Sequence, residues 1–183
     1  APLWSRGIGD VDTRQVMISA AGLERLEKTE SSSFSCDLRK RWDIMEAYEN
    51  GGHAYHATMP TDSLRRFRYI MKETEEYGFE KVRAEQQELG DKVRAMLTEK
   101  GFKSVASEGF QAPGVVVSYT NDKGIQTGKK FAELGFQIAA GVPLQCDEPE
   151  DYQSFRLGLF GLDKLHNIGR TVEKLEKALA AIY

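Results

Sequence analysis

Cysteine is scarce in this chain. Two thiols, Cys36 and Cys146, stand far apart among 183 residues, which excludes a disulfide-dense scaffold and suits free thiols in a reducing compartment. Histidine is scarcer than most binding chemistry would need. His53, His56 and His166 are the only three, and with the two cysteines they show no spacing typical of zinc, so a metal centre is not expected. Basic charge is not in excess: 25 Lys and Arg stand against 28 Asp and Glu, for a net charge of -3 with no basic stripe. Nucleic acid is therefore not expected as a partner. No apolar run approaches bilayer length and the first residues do not read as a signal peptide, so no membrane association and a cytoplasmic location are expected. There is no internal repeat, no low-complexity segment and no nucleophile-elbow motif. Gly7 and Gly9 lack both a preceding strand and a third glycine, which makes them too weak a signal for a phosphate-cradling loop. What remains is a globular chain long enough for one domain with a genuine core, or one domain with a fragment of another.

The richest stretch is Gly51-Gly52-His53-Ala54-Tyr55-His56-Ala57-Thr58-Met59-Pro60-Thr61. The glycines permit tight turning or close approach of backbone to a ligand. Pro60 favours extended geometry at Met59 and can open a following helix. Tyr55, His56 and Thr58 can offer hydroxyl and imidazole contacts to an anion. Read on spacing alone, the same stretch is also an ordinary polar turn before a helix.

Around this loop the apolar spacing predicts helices and then strands. Residues 1–15 show no period and read as irregular, and Val16–Ile18 reads as a short buried strand. A helix starts at Ser19 or Ala20 with Leu23 and Leu26 on one face. Ser31–Ser33 breaks it, and Ser35 or Asp37 caps the next helix, whose stripe is Leu38, Trp42, Met45 and Tyr48. Asn50-Gly51-Gly52 ends that helix. Thr61 or Asp62 opens a third, carrying Leu64, Phe67, Ile70 and Met71, interrupted at Tyr77-Gly78-Phe79. A long helix follows to Gly101, with Phe79, Val82, Leu89, Val93, Met96 and Leu97 inward. Gly114–Tyr119 reads as a strand buried on both faces, Asn121–Gly124 as a turn, and Thr127–Leu134 as one short helix. Ile138–Pro143 and Ser154–Gly161 read as further strands. Asn167 caps a last helix with Ile168, Val172, Leu175, Leu179 and Ile182 on one stripe. Helices first, then strands mixed with helices, indicate an α/β or α+β domain: helices packed on a small, mostly antiparallel sheet.

Arg156 is the most informative single residue. A guanidinium does not shed its charge, so an apolar strand holds one at a cost of several kcal/mol unless an anion meets it. Its planar fork matches a carboxylate or phosphate at two points. A structural ion pair and a ligand contact both stay open from the residue alone, with Gly158 and Gly161 leaving room for the latter.

The motifs then add up to a resemblance. The chain reads GGHAYHATMPTDSL at Gly51–Leu64, APGVVVSY at Ala112–Tyr119 and FRLGLFGLDKL at Phe155–Leu165. In this order and spacing, from about Val16 onward, it resembles the C-terminal part of class V aminotransferases of the alanine–glyoxylate and serine–pyruvate type. These are pyridoxal-phosphate enzymes of fold type I. The resemblance implies that Tyr55 and Thr58 reach across a dimer interface to the cofactor phosphate, and that Arg156 holds the substrate's α-carboxylate. It implies residues 1–50 belong to or link from a large domain that is missing, with 51–183 as the C-terminal small domain. The family's Schiff-base lysine would precede Val16, typically in a Gln-Lys pair. Here Ala1-Pro2 resembles the approach to that pair, Leu3-Trp4 follows instead, and the first lysine is Lys28.

No catalytic residue is therefore assigned within the chain, and transamination by the chain alone is not expected. The complete enzyme is expected to use pyridoxal 5'-phosphate to move an amino group from alanine or serine to glyoxylate or pyruvate. Expected partners are those small molecules and a second copy or a missing large-domain chain. An aminoethylphosphonate–pyruvate transaminase segment and a non-catalytic binding or dimerisation module are the alternatives.

Overall fold

Leu89, Val93, Met96 and Leu97 recur at spacings of four, three and one, which puts all four on one face of a helix. In the computed structural model, which describes residues 16–56, 58 and 60–182, that stripe is the buried bed of the molecule's core. The expected irregular segment 1–15 lies outside the described residues, as do Ala57 and Met59 of the loop.

The chain divides into two compact units, residues 1–70 and 71–183. The described part of the first unit begins with α1 (Ala20–Glu27) and α2 (Leu38–Glu49), which touch each other. Ser19 caps α1 by accepting from the Gly22 amide at 3.1 Å, and Asp37 caps α2 by accepting from the Lys40 amide at 2.9 Å. Short polar side chains at these positions satisfy amides that have no intrahelical partner. At the other end of α2, Gly51 takes a φ of 78° while the Gly52 amide donates back to the Ala47 carbonyl at 2.9 Å. Glycine is needed there because a Cβ resists left-handed angles. Helix α3 (Thr61–Tyr77) follows. None of the described residues from 16 to 70 is buried. The helical stripes expected from the sequence are present, but Met45 and Tyr48 are each 59% exposed.

The second unit is built on α4 (Phe79–Glu99). Gly78, at φ 99°, separates it from α3. A three-stranded antiparallel sheet in the order β1-β3-β2 comprises β1 (Val115–Tyr119), β2 (Ala139–Ala140) and β3 (Ser154–Gly158). Between β1 and β2 lie two one-turn helices, α5 (Lys123–Gln126) and α6 (Lys129–Glu133). After β3 come α7 (Leu162–Leu165) and α8 (Ile168–Ile182). Asn167 caps α8 by accepting from the Arg170 amide at 2.9 Å. Helix α4 packs on β1, α7 and α8. Val116 of β1, Phe155 and Leu157 of β3, and Leu175 and Leu179 of α8 close the core around its stripe. Mixed helices over a small antiparallel sheet is the fold class that the sequence indicates.

Several local expectations are overturned. Val16–Ile18 forms no strand; Met17 is 92% exposed and no described strand pairs with it. Strand β1 is not buried on both faces. Val116 and Ser118 are buried while Val115 and Val117 are half-buried, the period-two pattern of a sheet covered by helices on one side. The expected Ile138–Pro143 strand keeps only Ala139 and Ala140, and the next residue, Gly141, lies close against the Ser154 backbone. The strand expected over Ser154–Gly161 stops at Gly158. Asn121–Gly124 is not a free turn: Asp122 caps α5 by accepting from the Gly124 and Ile125 amides at 2.7 and 3.1 Å. The single helix expected over Thr127–Leu134 is broken by Gly128 at φ 77°. Phe79, expected inward, is 63% exposed.

Candidate functional site

In the first unit the loop after α2 carries the two hydroxyls singled out from the sequence. The turn at Gly51-Gly52 sends the chain away from the helix, and the Pro60 carbonyl accepts from the Leu64 amide at 3.0 Å, starting α3. Between these fixed ends, Tyr55 Oη and Thr58 Oγ1 lie 3.3 Å apart, and Tyr55 is 78% exposed. Two neighbouring hydroxyls with no other hydrogen-bond partner among the described residues can both donate to one incoming oxyanion. His56 has a different task. Its Nε2 lies 3.2 Å from the Phe34 carbonyl oxygen and its ring sits 4.3 Å from the Phe34 ring. That contact ties the loop to the segment before α2 and engages one of the two ring nitrogens.

In the second unit Arg156 sits on β3, the central strand, opposite Val117 on one side and Ala139 on the other. The alternation Ser154–Phe155–Arg156–Leu157 turns Phe155 and Leu157 into the core and Arg156 to the other face, where it is half-buried. The expectation of a charge held inside an apolar strand is thus corrected: the guanidinium stands on the sheet's less covered face, and its desolvation is correspondingly smaller. Its Nε donates to the Ala140 carbonyl at 2.9 Å. Among the described residues no carboxylate is within ion-pair reach of it. The terminal nitrogens of the fork are the groups that take a carboxylate at two points. Of the two glycines expected to leave room, Gly158 does so, since a Cβ added there would meet nothing nearer than 3.9 Å. Gly161 is equally open, with Lys164 Nζ nearest at 3.9 Å, and its φ of 109° also favours glycine.

The site's framework rests on two residues that sequence reasoning passed over. Gln86 on α4 donates to the Pro113 carbonyl at 3.1 Å and to the Leu159 carbonyl at 3.4 Å, joining the entry of β1 to the exit of β3. Arg94, about two helical turns further on, donates to the Ala112 and Val115 carbonyls. Burial lowers the Arg94 pKa from its ordinary value, and Gly90 makes the contact possible, since a Cβ there would meet the Pro113 oxygen at 2.8 Å. Polar residues bordering an apolar helical stripe were the only signal available for either.

The third histidine also serves the framework. The Tyr77 hydroxyl donates to Glu85 at 2.6 Å, a bond that raises the phenol's pKa, while the His166 ring packs 4.7 Å from the Tyr77 ring. Among the described residues no group of three His, Cys, Asp or Glu side chains converges as a metal site, and no helix is long and apolar enough to cross a membrane.

No protein-family model matches the chain. A 2-aminoethylphosphonate–pyruvate transaminase from Bacillus cytotoxicus is 29% identical over 138 residues, covering 73% of this chain and 35% of that protein. Among solved structures, an alanine–glyoxylate aminotransferase from Nostoc sp. matches with a TM-score of 0.70 at 16% identity, covering 90% of this chain and 42% of the other. A ureidoglycine–glyoxylate aminotransferase from Bacillus subtilis matches with a TM-score of 0.56 at 19% identity, covering 88% and 40%. The chain thus spans between a third and a half of the length of these relatives. In sequence and in fold it resembles the class V aminotransferases, as its three motifs indicate, over a stretch consistent with their C-terminal part.

Proposed function

We propose that the chain is the C-terminal segment of a pyridoxal-phosphate-dependent aminotransferase, and that the complete enzyme moves an amino group from a small amino acid, alanine or serine, to glyoxylate or pyruvate. The observation that carries this reading is Arg156: a half-buried guanidinium on the open face of the central strand, anchored through Nε, with no described carboxylate to neutralise it. In that role it holds the α-carboxylate of the substrate at two points and fixes the orientation of the carbon that bears the amino group.

Tyr55 and Thr58 fit the phosphate end of the cofactor. Their hydroxyls are 3.3 Å apart, exposed, and free of any cationic or acidic partner among the described contacts. They hold and orient one end of the cofactor of a second subunit in a homodimer. The cofactor, when bound, supplies an electron sink at the substrate carbon. The lysine that links to it, its ring contacts and most of its phosphate contacts come from elsewhere in the complete enzyme.

An aminoethylphosphonate–pyruvate transaminase is the second reading, favoured by the name of the 29% identical relative. In that reading Arg156 meets the phosphonate of the amino donor in one half-reaction and the carboxylate of pyruvate in the other.

The test is the mass of every polypeptide that purifies with this chain, under denaturing conditions, followed by a transaminase assay with alanine and glyoxylate. A larger polypeptide, either containing this sequence or co-purifying with it, and activity only in its presence, are expected. Full activity from a single 20.6 kDa species would refute the reading.

A further inference from the structure

Beside Arg156 the open face of β3 has a bare position and then an aromatic wall. Arg156, Gly158 and Phe160 alternate along the chain, so they share one face of the strand and its continuation, at about 6.6–6.8 Å per pair of residues. The structure gives their contacts directly. A Cβ added at Gly158 would find its nearest neighbour in the Phe160 ring, 3.9 Å away, so the ring stands on the same side as the missing side chain. The ring itself is pinned: a Cβ added at Gly114 would meet it at 2.4 Å, so it lies directly on the Gly114 backbone at the entry of β1. The two flanking side chains lean apart. Phe160 lies toward β1, over Gly114, while Arg156 turns toward β2 and bonds the Ala140 carbonyl at 2.9 Å. Between them is Gly158, exposed and open.

Neither residue is explained by the fold. Gly158 pairs with Val115 in regular antiparallel register and does not take a positive φ, so its backbone makes no demand for glycine. Glycine weakens a strand and lacks a side chain to pack, and often marks a place where something else approaches closely. Phe160 stays 56% exposed although it is held in place, which leaves one apolar face of the ring uncovered.

We infer that Gly158 and Phe160 form a specificity slot continuous with Arg156. It takes the carbon chain of a short, unbranched 2-oxo or 2-amino acid whose carboxylate is on the guanidinium. This inference rests on the carboxylate role proposed for Arg156 and adds the residues that select what is attached to the carboxylate. The guanidinium supplies charge and two-point orientation. Gly158 supplies room, and the Phe160 ring supplies an apolar surface against the chain carbons. A side chain at 158 occupies the space that the ligand needs without disturbing the strand.

The experiment is a titration of the chain with pyruvate, followed by amide chemical shifts in two-dimensional NMR. Saturable shifts are expected in residues 139–141 and 156–160. Arg156→Leu is expected to abolish them. Gly158→Val is expected to raise the half-saturating pyruvate concentration about tenfold or more, since a mismatch of one methylene in a pocket is already worth about 10–200-fold, while the spectrum of the core stays that of the parent. Gly158→Ala repeats the test with a smaller group, should the valine disturb the strand. Pyruvate binding unchanged by both Gly158 variants but lost in Arg156→Leu overturns the slot and leaves the carboxylate role standing. Binding unaffected by Arg156→Leu overturns both; where the parent chain gives no saturable response, the same variants are compared in the complete enzyme by KM for pyruvate, and a KM unchanged in both Gly158 variants overturns the slot.

Discussion

Gly141→Ala is the substitution whose effect follows most directly from the geometry. A Cβ built on Gly141 would stand 1.9 Å from the Ser154 carbonyl oxygen, 2.3 Å from its carbonyl carbon and 2.3 Å from its Oγ. Two of these three atoms are backbone of the central strand, so no rotamer change relieves the clash. Either β3 shifts, against a core in which Phe155 is wholly buried, or β2 lifts off. The second is the cheaper, because β2 contributes only Ala139 and Ala140 to the ladder. Overpacking of this kind costs about 1–3 kcal/mol, and for a chain of this size each kcal/mol moves the melting temperature by about 2–4 °C. A fall of about 2–12 °C is therefore expected. Lifting β2 also carries away the Ala140 carbonyl that anchors Arg156 Nε, so amide exchange should rise at residues 139–142 and pyruvate binding should weaken. Gly158→Ala is the matched control for stability, since its Cβ meets nothing within 3.9 Å. A Gly141→Ala protein that melts with the parent and keeps slow exchange at residues 139–142 would refute this account of the β2–β3 contact.

Other expectations are simpler. Ser154 Oγ is buried with no hydrogen-bond partner among the described residues. Removing an orphaned hydroxyl is neutral or favourable, so Ser154→Ala should leave the urea midpoint unchanged or raise it; a clear fall would show that the hydroxyl has a partner. The Glu148 carboxylate accepts from the Cys146 and Gln145 amides, both at 2.8 Å, in a loop where Gln145 and Asp147 take positive φ. Those bonds hold its pKa at about 2, against an ordinary 4.5. A depressed carboxylate stabilises the loop fully above the ordinary value and loses that contribution as pH falls through about 2. Amide shifts of Gln145 and Cys146 should titrate near the lower value, and a midpoint near 4.5 would remove the capping role.

How far the sequence could be read depended on whether local chemistry or tertiary contact decided each element. Ser19, Asp37 and Asn167 cap helices because their own side chains reach nearby amides, and such signals are local. The stripes of α4 and α8 are equally local, since a period of 3.6 fixes which residues share a face. Strands were less legible. Val115-Val116-Val117 is apolar throughout, so its alternation between buried and half-buried positions appears only once helices cover one side. Whether Val16–Ile18 is a strand depends on a partner strand, which no local pattern reveals. The candidate site divides in the same way. Arg156 and the Tyr55–Thr58 pair stood out because charge in an apolar run and hydroxyls in a glycine-rich loop are local anomalies. Gln86 and Arg94 did not, because their meaning lies in carbonyls on a distant strand. Phe160 read as one more strand residue until the bare backbones of Gly114 and Gly158 showed why the ring stays on the open face.

The central claim is that Arg156 is held on the open face of β3 to take a substrate carboxylate. Steady-state kinetics of the complete enzyme carrying Arg156→Leu test it most directly. Removing a charged hydrogen-bond partner of a carboxylate should reduce kcat/KM for the amino acid by about 10–100-fold or more, chiefly through KM, with melting temperature and cofactor affinity close to those of the parent. Unchanged KM for the amino acid would contradict the account.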